Sequence, residues 1–212
     1  MMILDEDKLE SCLMQLDSLQ QEFLDCTHRI MKAGKSNIHK LDFFALSIIN
    51  RAISLNKGFK TLMETQNTLS AVGLLRLQLD NLIRYNAIIV CENPFEFMEH
   101  ILANKSIHEY RENNKAFTDN FLAKKLDERF PNSLKLYKHL CNYIHYGYTH
   151  VDYIFREKEC PTENSSYSVV VGDNDKFSLK DKIDYTENLI NISSNLIALM
   201  NRWAKEKDTW KL

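Results

Sequence analysis

The stretch from Thr68 to Cys91, TLSAVGLLRLQLDNLIRYNAIIVC, decides how this chain folds. Its apolar residues recur at helical spacing and lie almost all round the helix, a distribution typical of a helix enclosed by other helices. Asn93-Pro94 follows directly, and proline cannot continue a helix but is favoured at the start of the next one. The stretch therefore predicts the central helix of a bundle.

Amphipathic segments on both sides of this central helix predict further helices. Apolar residues in them recur in steps of three and four, and Gly34 marks the end of the first segment. Asn67 is expected to end the second segment, and Gly147 the segment that reaches His145. The polar run 105–115 is compatible with a loop or with a helix. The flanking helices are predicted at residues 1–33, 41–66, 94–104, 119–130, 133–145 and from about 181 onward.

Strand signals are confined to one place. SYSVVV and KFSL are rich in strand-forming residues and are separated by the turn-forming GDND, which predicts a β-hairpin at residues 166–179. The chain has 5 Gly and 3 Pro in 212 residues, too few turn formers for an all-β fold. No linker or repeat divides it. We therefore expect a single domain, residues 1–212, that is all-α: a bundle of five to seven helices with the hairpin as an insertion.

Charge, hydropathy and cysteine content limit the classes of function. The 27 Lys and Arg against 29 Asp and Glu give a formal charge of -2, so a nucleic-acid site would have to be local. No apolar run is long enough for a membrane helix, and the acidic N-terminus is unlike a signal peptide, which indicates a cytoplasmic protein. The 5 cysteines are widely spaced without a CxxC pair, so we expect reduced thiols and neither a metal nor another cofactor.

A charged stripe runs along the predicted central helix. Arg76, Asp80 and Arg84 are spaced i, i+4, i+8 and therefore share one side of a helix that is otherwise apolar. Asn50 and Arg51 on the preceding helix are potential partners. Three interpretations stay open: a solvated ladder of ion pairs, a buried network of paired charges, and an anion-binding site built on the arginines.

A second polar stripe lies in the helix that reaches His145. Lys135, Lys138, Asn142 and His145 share one face, while leucines and tyrosines occupy the other. Residues 124–139 contain five basic and two acidic side chains, a local charge of +3. This face is a phosphate-facing surface or a solvated helix face, and His145 alone would also suit the end of a helix as a cap.

Two segments carry a resemblance to a known family. NRAISLNKGFKTLMETQNTLSAVGLLRLQLDNLIRYNAI, residues 50–88, and LYKHLCNYIHYGY, residues 136–148, are similar to uncharacterised bacterial helical proteins. Those proteins in turn resemble the HEPN superfamily, whose name refers to nucleotide binding in higher eukaryotes and prokaryotes. The resemblance covers most of the chain from about residue 50 to residue 150.

The resemblance implies a set of site residues. HEPN-type ribonucleases place an Arg, then four to six residues, then a His near a helix end, with a polar residue close to the Arg, and usually act as dimers. Here the His position corresponds to His145, and counting back six intervening residues gives Lys138 instead of Arg, followed by His139 in the polar position. His145 would be the general base, Lys138, Arg76 or Arg84 would stabilise charge on the phosphate, and Asn142 would orient the substrate.

The sequence thus predicts a HEPN-like homodimer that binds nucleotide or RNA, with metal-independent RNA cleavage as its enzymatic form. A non-catalytic helical module that binds a partner protein is the alternative, for example a toxin-antitoxin or phage-defence component. In that alternative the stripe of Arg76, Asp80 and Arg84 anchors the ligand or serves as a polar network in the core.

Overall fold

The computed structural model describes residues 2–153, 171–172 and 175–207, with side chains from Asp5 onward. Within these residues the fold is all-α, as the sequence predicts, but it has eight α-helices where five to seven are expected. The helices are α1 (Met2–Lys32), α2 (Lys40–Glu64), α3 (Thr68–Val90), α4 (Pro94–Leu102), α5 (Asp119–Arg129), α6 (Ser133–Ile144), α7 (Tyr148–Tyr153) and α8 (Leu179–Lys207).

Helix α3 is the central element of the bundle. It packs against α2, α4, α5, α6 and α8, while α1 lies mainly along α8. Because α3 has neighbours on several sides, buried apolar residues cover more than half of its circumference, among them Leu82, Ile83, Tyr85 and Ala87. The buried apolar side chains of the described helices form one hydrophobic cluster. This arrangement confirms the central role predicted for the stretch from Thr68 to Cys91.

A buried ion pair ties α2 to the end of α8. Asp42 and Lys207 are both fully buried, and Lys207 Nζ donates to Asp42 Oδ2 at 2.8 Å and to the Ile30 carbonyl oxygen at 3.0 Å. The indole Nε1 of Trp203 donates to the other oxygen of Asp42 at 2.9 Å, and the backbone N–H of His39 also donates to this carboxylate. The fully bonded carboxylate therefore joins α1, α2 and α8 at one point.

Capping side chains set where the central helices begin. The Asn67 side chain accepts a hydrogen bond from the backbone N–H of Ser70, so Asn67 begins α3. Asn67 also belongs to the C-terminal turn of α2, as predicted, because its backbone N–H donates to the Leu62 carbonyl oxygen at 2.8 Å. Asn93 caps α4 in the same way, with Pro94 as the first helical residue, as predicted. Helix α6 ends before Gly147, because His145 already has extended backbone angles.

The hairpin that the structure contains lies between α4 and α5. Strands β1 (Arg111–Glu112) and β2 (Lys115–Ala116) pair antiparallel across Asn113 and Asn114, both of which have positive φ. Asparagine tolerates this conformation better than most residues, which suits it to a tight hairpin turn. Tyr110 packs edge-on against Phe97 of α4, with 5.0 Å between the ring centroids. The undecided run 105–115 is therefore a short 3₁₀ turn, Ile107–Glu109, followed by a hairpin.

The hairpin predicted at 166–179 is wrong in its second strand. Residues 175–178 form no strand, and Leu179 already belongs to α8. The reason is a helix cap: the backbone N–H of Asp181 donates to Ser178 Oγ at 3.1 Å, and the backbone N–H of Ser178 donates to the Asp181 carboxylate at 3.0 Å. The first predicted strand, apart from Val171, lies outside the described residues.

Candidate functional site

The charged stripe of α3 is a set of partly buried ion pairs. Arg84 Nε lies 3.3 Å from Asp80 Oδ1, and Arg76 Nη1 lies 3.9 Å from the same oxygen. The three side chains are between 11% and 21% exposed, so the stripe is not a solvated ladder. Two arginines therefore share one carboxylate, which leaves the group positively charged.

Residues from α2 and α5 complete this arginine cluster, by which we mean Arg51, Arg76, Asp80, Arg84 and Asp119. Arg51 Nη1 lies 3.7 Å from Asp80 Oδ2 and donates to the side-chain oxygen of the adjacent Asn81 at 2.7 Å. Asp119, the first residue of α5, accepts a hydrogen bond from Arg84 Nη2. The sequence pointed to Arg51 as a partner, whereas Asn50, the other residue proposed, is exposed and makes no side-chain contact with the cluster among the described residues.

A buried polar chain continues from the arginine cluster into the core. Asn81 donates to Gln78 Oε1 at 2.8 Å, and the Gln78 amide donates to Asn56 of α2 at 3.1 Å and to Ser193 of α8 at 3.0 Å. These four side chains are at most 3% exposed. Because Gln78 of α3 is hydrogen-bonded to both Asn56 of α2 and Ser193 of α8, this chain fixes how the three helices pack. Sequence reasoning missed it, since uncharged polar residues on a buried face resemble those on a solvated one.

Arg76 brings the two predicted stripes together. Its guanidinium carbon lies 4.4 Å from the ring centre of Tyr137 on α6, a cation-π contact. Burial lowers the pKa of Arg76, but the nearby Cys141 and the charge of Asp80 outweigh burial, so the pKa is raised and the side chain stays charged. Tyr137 and Cys141 are sequence neighbours of Lys138 and Asn142. The arginine cluster therefore meets α6 at the edge of its polar face.

The polar face of α6 is exposed. Lys135, Lys138, Asn142 and His145 all lie on the outer surface, and no hydrogen bond or ion pair links their side chains to other described residues. His145 is the C-terminal cap residue of α6, and its backbone N–H donates to the carbonyl oxygen of Cys141 at 3.0 Å. The four side chains are thus an open surface next to the arginine cluster.

Aromatic side chains extend this surface into α7. Tyr146 is 84% exposed and stacks on His150, with 5.5 Å between ring centroids and 3° between ring planes. His139 differs from its neighbours on α6, because its ring Nε2 lies 3.2 Å from the hydroxyl of Tyr185 on α8. His139 therefore contacts α8, whereas Tyr146 reaches solvent, as does Tyr148, which is 67% exposed.

Buried donors in and beside the arginine cluster have no acceptor. Arg76 Nε, Arg84 Nη1 and Asn86 Nδ2 lack a hydrogen-bond partner in the described part of the molecule. The Asn86 side-chain oxygen, by contrast, accepts from Arg129 Nε at 3.1 Å. An unpaired buried donor costs about 1–3 kcal/mol, so these three atoms lower the stability of this part of α3.

The part of the chain that the structure describes contains neither a cluster of metal ligands nor a helix suited to span a membrane. No group of three or more His, Cys, Asp or Glu side chains there could hold a metal ion. Among the same residues, no helix is long and apolar enough to cross a bilayer. The described cysteines, Cys12, Cys26, Cys91 and Cys141, are free thiols.

Comparison of the chain with protein-family models, with curated proteins and with solved structures found no match. The fold and the geometry of the arginine cluster are therefore the basis for any statement about function.

Proposed function

We propose that this chain is a HEPN-like helical protein that binds nucleotide or single-stranded RNA where the arginine cluster meets α6. The observation that carries the proposal is the contact of Arg76 with Tyr137 and Cys141, which joins the cations of α3 to the polar face of α6. The stripe on α3 supplies guanidinium donors, and the surface around α6 supplies ammonium groups and an exposed aromatic ring.

Each part of this surface has a role in RNA binding. Arginine donates in a planar fork that matches two phosphate oxygens, and the arginine cluster has one more cation than anion. Lys135 and Lys138 would add salt-dependent attraction to the phosphate backbone. The exposed Tyr146 offers a face on which a base can stack, a contact that binds every base and is therefore sequence-tolerant.

Cleavage is the enzymatic form of the same proposal. His145 would accept the proton of a ribose 2′-hydroxyl, Lys138 or an arginine of α3 would stabilise charge on the phosphate, and Asn142 would orient the substrate. Lys138 is a weaker fit than arginine, since its ammonium is a point charge without the bidentate fork. Binding without cleavage is therefore the core of the proposal.

Binding is tested with a fluorescein-labelled single-stranded RNA and fluorescence anisotropy over a range of salt concentrations. Tyr146→Ala should weaken binding at least fivefold, because stacking contributes about 1–3 kcal/mol per base. Lys138→Ala should lower the slope of log affinity against log salt by about 0.7, the value for one phosphate contact on a single strand. Lys57→Ala, an exposed lysine of α2, is the matched control. Equal affinities for all three variants would contradict the proposal.

Cleavage is tested by incubating the same RNA with the protein in EDTA. If His145 is the general base, His145→Ala abolishes cleavage and chelation leaves it unchanged. Lys138→Arg should increase cleavage, since it restores the guanidinium that the HEPN resemblance calls for. RNA that stays intact with every variant but binds in a salt-dependent way identifies a binding protein.

A non-catalytic protein-interaction module is the second function, and the apolar residues beside the polar face favour it. Ile144 is 47% exposed and Tyr146 is 84% exposed, close together at the end of α6. Such side chains are typical anchors of protein interfaces. Sedimentation of the purified chain tests the homodimer that the family resemblance implies: in a dimer built on this surface, Ile144→Asp would give monomers.

A further inference from the structure

An open groove lies between the first half of α6 and the middle of α8. Its volume is about 690 Å³, within the range of roughly 300–1,000 Å³ typical of small-molecule sites. Leu79 and Leu82 of α3, both 1% exposed, form its floor together with Ile192 of α8. The floor is therefore apolar and suits the flat face of a ring.

Three asparagines of α8 form one wall of the groove. Asn188, Asn191 and Asn195 are spaced i, i+3, i+7, so they share one face of α8 and extend over about 10 Å along it. Asn188 Nδ2 donates to the carbonyl oxygen of Asp184 at 2.7 Å. The Asn191 and Asn195 side chains make no hydrogen bond with other described residues. Each of these two amides offers donors and an acceptor, so they suit a ligand that has both on one edge.

The other wall of the groove supplies aromatic rings and one cation. Phe130, which follows the last residue of α5, and His139 of α6 line it. Aromatic rings are the usual platforms for unstacked bases. Among the described residues that line the groove, Lys135 is the single one with a formal charge when His139 is neutral. One ammonium group matches one phosphate group.

Lys135 also connects the groove with the proposed RNA surface, because it belongs to the polar face of α6. This polar face lies between the groove and the arginine cluster. Leu136 and His139 line the groove on one side of α6, whereas Tyr137 contacts the arginine cluster on the other. A strand of RNA that crosses the polar face can therefore place one nucleotide in the groove while its backbone follows the cations.

We infer that this groove binds one nucleotide by its base, which lies on the apolar floor and forms hydrogen bonds with the amides of Asn191 and Asn195, while Lys135 holds the phosphate. Asparagine amides pair with adenine through one donated and one accepted hydrogen bond, so adenosine monophosphate is the fitting probe. The inference rests on the proposed function, because it names how one nucleotide of the bound strand is held. It adds base recognition to a surface whose other contacts are sequence-tolerant.

Adenosine monophosphate and ribose 5-phosphate are the matched probes, because they share the sugar and the phosphate but differ in the base. Binding to the full chain is followed by protein-observed NMR titration. Adenosine monophosphate should saturate, and ribose 5-phosphate should bind at least tenfold more weakly. Substituting both Asn191→Ala and Asn195→Ala should weaken binding of adenosine monophosphate about tenfold, equivalent to about 1.4 kcal/mol. Asn50→Ala, an exposed asparagine of α2, is the matched control and should leave this affinity unchanged.

Lys135→Ala separates the phosphate contact from the base contacts. It should weaken binding of adenosine monophosphate and leave binding of adenosine, which has no phosphate, unchanged. Lys135 and Asn191 are exposed and Asn195 is half-buried, so the thermal unfolding midpoint of each variant should stay close to that of the native chain.

RNA binding by the same variants distinguishes failure of this inference from failure of the proposed function. The inference is overturned if adenosine monophosphate does not saturate, if ribose 5-phosphate binds as tightly, or if the double asparagine variant keeps the native affinity for adenosine monophosphate. The proposed function survives that result if Tyr146→Ala and Lys138→Ala still weaken RNA binding. If those two variants bind RNA like the native chain, the proposed function fails, and the titration with adenosine monophosphate still decides whether the groove binds a nucleotide.

Discussion

Under the proposed function, Asp80 competes with phosphate for the arginines that it holds together, so Asp80→Asn should change stability and RNA binding in opposite directions. Three arginines lie 3.3, 3.7 and 3.9 Å from its carboxylate oxygens. Asp80, Arg76 and Arg84 have side chains that are at most 21% exposed, while Arg51 is 43% exposed. The substitution keeps the shape of the side chain and removes the only charge that the three guanidinium groups share.

The magnitude follows from this partial burial. Removing one partner of a fully buried ion pair costs about 3–5 kcal/mol, whereas an exposed pair contributes at most about 1 kcal/mol. Asp80 lies between these limits, so we expect a loss of about 2 kcal/mol in the free energy of unfolding. For a chain of this length that loss corresponds to a fall of about 4–8 °C in the thermal midpoint. RNA affinity should rise several-fold, since the freed arginines no longer share their charge with a carboxylate.

Urea unfolding measures the stability change, and fluorescence anisotropy with labelled RNA measures affinity. Asp119→Asn is the control, because Arg84 is its single ion-pair partner among the described residues and Asp119 is 45% exposed, so its loss should be below about 1 kcal/mol. An Asp80→Asn protein that unfolds at the native urea concentration would refute the argument about burial. Weaker RNA binding by the folded variant would show that Asp80 does not compete with phosphate for the arginines.

Three further predictions concern the core and the helix ends. Asp42→Ala should cost about 3–5 kcal/mol in urea unfolding because Lys207 stays buried and charged, and adding Lys207→Met should recover part of that loss. Burial raises the pKa of Cys26 to about 11. Because the unperturbed thiol ionises near pH 9.0, stability should be fully present below that pH and fall by about 2 kcal/mol as pH rises to 11, with a shallower fall in Cys26→Ala. Asn67→Ala removes the N-cap of α3 and should lower the free energy of unfolding by about 1 kcal/mol.

The sequence predicts the helices well where the signal is local. The stretch from Thr68 to Cys91 contains the helical periodicity, and the stop Asn93-Pro94 follows directly, so the position of α3 follows from neighbouring residues alone. The hairpin prediction failed because KFSL alternates like a strand, whereas Ser178 and Asp181 form a cap whose hydrogen bonds start a helix. The hairpin at 111–116 was missed because strands of two residues are too short to show a period.

The site could be predicted only as separate stripes. The i, i+4 spacing places Arg76, Asp80 and Arg84 on one side of a helix, but burial of that side depends on how α6 packs against it. The partner of Arg84 on α5 is 35 residues away in sequence, and no local pattern connects the two. Sequence reasoning therefore identified which side chains carry charge, while the structure determines which of them meet.

The packing of α1 along α8 has a consequence for synthesis of the chain. About 150 residues separate the end of α1 from the start of α8, and a ribosome needs roughly 10 s to add that many. Throughout that time the apolar stripe of α1, which includes Leu16, Phe23 and Ile30, lacks the helix that covers it. The apolar stripe of α1 therefore stays uncovered until α8 has been made, and exposed apolar surface of this kind makes an incomplete chain prone to aggregation.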